Sequence, residues 1–167
     1  MAIFSWLFGS KDEDKPPATT QQKTSNSIRF RADLVEKLTS EHRAIVVLYQ
    51  EINTLFQKGD YLQMRTKLNE FKRMLQGHVI VENVQFYTYL ENKLQDDATN
   101  LEFIRDVRKE MNGIAHAVVQ FTKKYDKASF SDDEIKQSFM QDIEEIGNVL
   151  TQRVEMEETQ LYTLYEE

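Results

Sequence analysis

The sequence predicts an all-α fold, an antiparallel up-down four-helix bundle, and three observations carry the prediction. Beyond Ile28, apolar residues recur at helical spacing in four long segments. The connections between these segments are short, which makes successive helices antiparallel neighbours. Both prolines, Pro16 and Pro17, lie near the start, so none interrupts a later helix.

The first segment runs from near Arg31 to Lys58 along Leu34, Leu38, Ile45, Tyr49, Ile52 and Phe56, with Gly59 as its stop. The second starts around Asp60 and reaches about Gln95, along Leu68, Phe71, Leu75, Phe86 and Tyr89. "DDATN" breaks the chain, and Asn100 is placed to cap the third helix, which carries Val107, Met111, Ile114, Val118, Phe121 and Tyr125. "SFSDDE" is the last turn, with Ser131 or Asp132 as cap. The fourth helix uses Phe139, Ile143, Ile146, Leu150, Leu161 and Leu164, and Met64, Met74, Met111, Met140 and Met156 are expected to fill core gaps.

Residues 28–167 thus form the bundle, 10–27 read as a polar, proline-containing linker, and 1–9, "MAIFSWLFG", as a short apolar segment. No basic residue precedes that segment and no small-residue cleavage site follows it, so it is a poor signal peptide. Phe4, Trp6, Leu7 and Phe8 are expected either to fold back on the bundle or to dock on a protein partner or a membrane surface, where so short a segment attaches weakly. The net charge of −7 argues against nucleic-acid binding. With no cysteine, disulfides, thiolate metal sites and thiol catalysis are excluded. The expectation is a cytoplasmic protein, with peripheral membrane attachment as its only membrane link.

Ionisable residues fall on the apolar faces. At about 100° per residue, Glu82 lies at the centre of the second helix's arc, with His78 one turn earlier. His42 lies within the first arc, Glu157 at the centre of the fourth with Arg153 a turn before it, and His116 at the edge of the third. Counting residues from the loops places His42, His78 and His116 nearly level, whereas Glu157 is displaced by roughly two turns. Buried ionisable groups need compensation. Imidazoles and carboxylates converging from several helices suit one ion of iron, manganese or zinc, and they also suit a hydrogen-bonded network without metal.

These motifs resemble the hemerythrin-like, or HHE cation-binding, family over roughly residues 31–166. The carriers are "SEHRAI", "GHVIVENVQFYTYL", "MNGIAHAVV" and "RVEMEETQLYTLY", one on each helix. The resemblance implies a two-iron site bridged by two glutamates, and puts His42, His78, Glu82, His116 and Glu157 at ligand positions. Arg153 stands where the family has a histidine, and Asn112 where oxygen-carrying members have another. A guanidinium cannot ligate a metal, but it can place a fixed positive charge between Glu82 and Glu157 and bond both. A second metal is therefore not expected.

"EEIGNVLTQRVEMEETQLYTL" and "LQGHVIVENVQFY" are also similar to the regulator of sigma D family, bacterial helical bundles that bind a sigma factor. Glycine-rich phosphate loops and nucleophile elbows are absent from the sequence. The reading is a non-enzymatic, bacterial bundle with a degenerate metal centre that senses or binds a metal, oxygen or nitric oxide. The alternative is a metal-free interaction module of anti-sigma type.

Overall fold

The computed structural model describes residues 29–166, so Phe4, Trp6, Leu7 and Phe8 lie outside the described residues. Helix α1 spans Leu34–Gln57 and α2 Tyr61–Val81. The second rod continues through a wider π-type turn, Glu82–Tyr87, into α3, Thr88–Lys93. Helix α4 spans Ala98–Asp126. The last rod is α5, Asp133–Met156, followed by a second π-type turn at Glu157–Leu161 and a short 3-10 turn at Tyr162–Leu164. The four rods form an all-α bundle with no strand among the described residues. No described helix is long and apolar enough to cross a membrane.

Local chemistry explains the ends. Gly59 takes a left-handed φ of 74°, which only glycine adopts without cost, and stops α1. Asp60 and Asp97 cap α2 and α4 by accepting from the backbone N–H of Gln63 and Asn100. The cap of α4 is thus three residues earlier than expected, because the Asp97 carboxylate reaches the exposed N–H of Asn100. At α5 the cap is Asp132, which accepts from the Glu134 N–H.

Two apolar clusters fill the bundle. One includes Ile52, Leu68, Phe71, Phe121, Phe139 and Ile143; the other includes Leu38, Phe86, Leu90, Ile104, Leu161 and Tyr165. His42, His78, Glu82, Arg153 and Glu157 lie between the two, so the apolar layers on either side bury them. Met64 and Met111 are in the core as expected, but Met140 is exposed, pointing away from the apolar arc of α5.

Depth follows from one aromatic contact. Phe139 stacks on Phe56, with ring centroids 4.6 Å apart. Equal numbers of residues onward from Phe139 and back from Phe56 lead to Arg153 and His42. The first turn of α5 therefore projects past the end of α1, which accounts for the apparent displacement of Glu157. Phe121 also stacks on Phe139, at 5.5 Å, so His116, only five residues away, lies well below the level of His42.

Helices α1 and α5 meet sparsely, bridged by Tyr49. Its hydroxyl donates to the Ile143 carbonyl at 3.1 Å and lies over Gly147, where a Cβ would overlap Tyr49 Oη and Cζ. Gly147→Ala should therefore destabilise the fold by about 1–3 kcal/mol through overpacking. Urea unfolding checks this; an unchanged midpoint would mean that Tyr49 moves aside freely.

Candidate metal centre

His42, His78, Glu82 and Glu157 are all buried, and one ligand atom from each lies within 4.8 Å of the others. The glutamates begin the two π-type turns, so each extra backbone residue enters directly after a carboxylate. Thr88 supports the first of these turns by donating its hydroxyl to the Asn83 carbonyl at 2.8 Å. In the second, the Tyr162 N–H bonds the Glu157 carbonyl, five residues back. Such widened turns rotate the following side chains by one position. Tyr87 and Tyr162 consequently turn inward beside the cluster, which a strict helical period does not anticipate.

Both imidazoles are held from outside. His42 Nδ1 is 2.9 Å from Glu158 Oε1, and His78 Nδ1 is 2.9 Å from Glu41 Oε2. A carboxylate can only accept, so each Nδ1 carries a proton and each Nε2 faces the centre. There His42 Nε2 lies 3.1 Å from His78 Nε2, 3.1 Å from Glu157 Oε2 and 3.4 Å from the Tyr162 hydroxyl. One imidazole nitrogen carries at most one proton and cannot satisfy all three neighbours. Tyr162 also donates to Glu82 Oε1 at 3.2 Å, while Glu82 Oε2, fully buried, has no hydrogen-bond partner. His78 Nε2 is 3.7 Å from that oxygen, near enough for charge attraction but too far for a hydrogen bond.

The charges follow the same geometry. Burial, and then the charge of Glu157, push the Glu82 carboxyl well above the usual carboxylate range. Burial acts on Glu157 too, but the bond to His42 and the charge of Arg153 outweigh it and hold this carboxyl low. Burial opposes the charged form of His42, yet its bonds to Glu157 and Glu158 raise it above the ordinary histidine value. Burial and the neighbouring His42 lower His78. The phenols of Tyr87 and Tyr162 are raised, mainly by burial and then by Glu82, and remain protonated.

Arg153 is buried and donates through Nε to Glu157 Oε1 at 2.5 Å and through Nη2 to the Tyr87 hydroxyl at 2.6 Å. Its Nη1 makes a longer contact of 3.4 Å with Glu110 Oε2. The expected direct bond to Glu82 is not formed, because the π-type turn brings Tyr87 to the guanidinium instead. His116 corrects the expected ligand set as well. It sits on the exposed face of α4, bonded to Gln120 at 3.3 Å, and is brought neither to the right face nor to the right depth. At the level of the cluster, α4 presents Val107, Glu110 and Met111.

The family model described as "Hemerythrin HHE cation binding domain" matches residues 33–165. The chain belongs to this hemerythrin family. Comparisons with curated proteins and with solved structures gave no significant match. Within this hemerythrin-like domain, the cluster fits a metal ion of the family's kind. Two imidazole nitrogens and two carboxylates converge, their outer hydrogen bonds orient them, and the buried Glu82 Oε2 lacks any other partner. The guanidinium takes the other oxygen of Glu157, and the imidazole of α4, His116, stays outside the cluster.

Glu41, Glu158, Tyr87, Tyr162 and Glu110 were not read from the sequence. A signal existed for the first two: each is an acid directly beside a ligand, Glu41 before His42 and Glu158 after Glu157. Each then orients a histidine on a neighbouring helix.

Proposed function

We propose that this chain is a non-enzymatic metal sensor or regulatory binder, holding one iron through His42, His78, Glu82 and Glu157, with manganese or zinc as alternatives. The observation that carries the reading is Glu82 Oε2, a buried carboxylate oxygen left unpartnered amid inward-facing imidazole nitrogens. Leaving such an atom unmet costs about 1–3 kcal/mol, and a cation at the centre meets it. When bound, iron supplies Lewis acidity and one-electron redox chemistry. The protein's share is to orient the imidazoles through Glu41 and Glu158, to keep Tyr162 as a donor toward Glu82, and to fix a positive charge at Arg153. With that charge in place of the second ion, the centre is suited to binding a small ligand such as oxygen or nitric oxide rather than to two-metal chemistry.

The test is to load the protein with ferrous iron anaerobically and expose it to each gas, following optical absorption and hydrogen exchange in α1 and α5. Ligand-dependent change in both readouts is expected. A bound iron indifferent to either gas would remove the sensing role. Metal affinity should also rise with pH, because Glu82 and His42 surrender protons on binding. The rise should continue above pH 6.5, the ordinary histidine value, since His42 titrates higher.

The second reading, a metal-free interaction module of anti-sigma type, is favoured by Arg153, whose bonds to Glu157 and Tyr87 are complete without metal. A protein partner, a cytoplasmic setting and docking through Phe4, Trp6, Leu7 and Phe8 belong to this proposal. Protein recovered without metal, yet retaining a partner when His78 is replaced by alanine, would put the second reading first.

A further inference from the structure

A cavity of about 510 Å³ opens between α1 and α5 and reaches the metal-ligand cluster. The volume is in the range of sites that hold small organic molecules. Val46 and Thr151 stand exposed at its mouth. Ile45, Leu75, Met111 and Leu150 form apolar walls. Tyr49, bonded across to Ile143 beside Gly147, holds the two helices over the opening.

The inner end is chemically different. Three of the four cluster residues, His42, His78 and Glu157, border the cavity, while Glu82 lies behind them. Arg153 borders it as well, and its Nη1 has only the 3.4 Å contact with half-exposed Glu110. Glu41 and Glu158 bond the outer nitrogens of the two imidazoles, away from the Nε2 atoms at the centre. An ion held by four protein donors keeps positions for further ligands, and iron and manganese accept oxygen donors there. A fixed cation beside an ion, at the end of an apolar tunnel, favours an anionic oxygen head on an apolar body.

We propose that this cavity binds a small monocarboxylic acid, carboxylate inward toward the ion and Arg153, and hydrocarbon along Ile45, Leu75, Met111 and Leu150. The proposal rests on the metal-centre reading and specifies what that centre receives. The experiment uses the full chain loaded with manganese(II), octanoate as the probe and n-octanol as the neutral control. Manganese content is measured first, then binding by calorimetry and proximity by broadening of the probe's proton resonances.

Octanoate should bind saturably, with broadening strongest next to the carboxylate and weakest at the terminal methyl. Octanol should bind at least about 10-fold more weakly, the value of one charge-assisted contact. Val46→Trp and Thr151→Trp, both at exposed positions, should keep the manganese and each weaken octanoate by at least about 10-fold, since a filled mouth excludes the chain. Manganese-loaded protein that binds no octanoate overturns the proposal. So does broadening strongest at the methyl, equal binding of octanol, or undiminished binding in both mouth variants. Where manganese is not taken up, ferrous iron replaces it, and a chain that takes up neither overturns the metal reading instead. Calorimetry with that metal-free chain then decides the cavity on its own, and absence of octanoate binding there overturns the proposal.

Discussion

Arg153→Met should destabilise the metal-free protein by about 3–5 kcal/mol, the cost of leaving a buried charge without its partner. Arg153 is 4% exposed and Glu157 1%, and the change leaves the Glu157 carboxylate with His42 alone as partner, beside the second buried carboxyl of Glu82. Tyr87, which accepts from Nη2, loses its buried donor at the same time. Methionine fills most of the space but supplies neither charge nor hydrogen bonds. Saturating divalent metal should recover a large part of the loss, because an ion neutralises the same carboxylates and binds only the folded chain. Urea unfolding with and without metal measures both effects. A variant as stable as the parent in the absence of metal would show that Arg153 does not stand in for an ion.

Glu82→Gln should separate stability from metal binding. In the metal-free protein, burial and Glu157 raise the Glu82 carboxyl, so the side chain is close in charge to its neutral amide. Arg153 does not depend on it, being bonded to Glu157 and Tyr87. The expected bond from Arg153 to Glu82 is not formed, so losing Glu82 does not strand the guanidinium. Stability should stay within about 1 kcal/mol, the size of one adjusted hydrogen bond. Metal affinity should fall by at least about 100-fold, since even residues outside the ligand set cost 10–100-fold. Calorimetric metal titration beside thermal melting decides it, and parallel losses in both would mean that Glu82 is a structural residue only.

The fold was legible because its signals are local. Helical periodicity, the stop at Gly59 and the cap at Asp132 depend on neighbours in sequence. The inward placement of His42, His78, Glu82 and Glu157 was legible for the same reason, each lying within an apolar arc. Two kinds of information were not local. His116 lies at the edge of its arc, where one helical step decides between core and solvent, and its depth depends on the overhang of α5 set by Phe56 and Phe139. Tyr87 and Tyr162 follow π-type turns, and a constant rotation per residue misplaces every side chain after them. The orienting acids Glu41 and Glu158 act across helices, so their partners emerge only when the rods are assembled.

The central claim is one metal ion per chain, held by two histidines and two glutamates, with Arg153 occupying the ground of a second. Native mass spectrometry of the full chain, reconstituted with excess ferrous iron or manganese(II) and freed of loose metal, tests it most directly. The account predicts one ion in the parent protein and none in His78→Ala. Two ions in the parent, or one ion that survives His78→Ala, would contradict it.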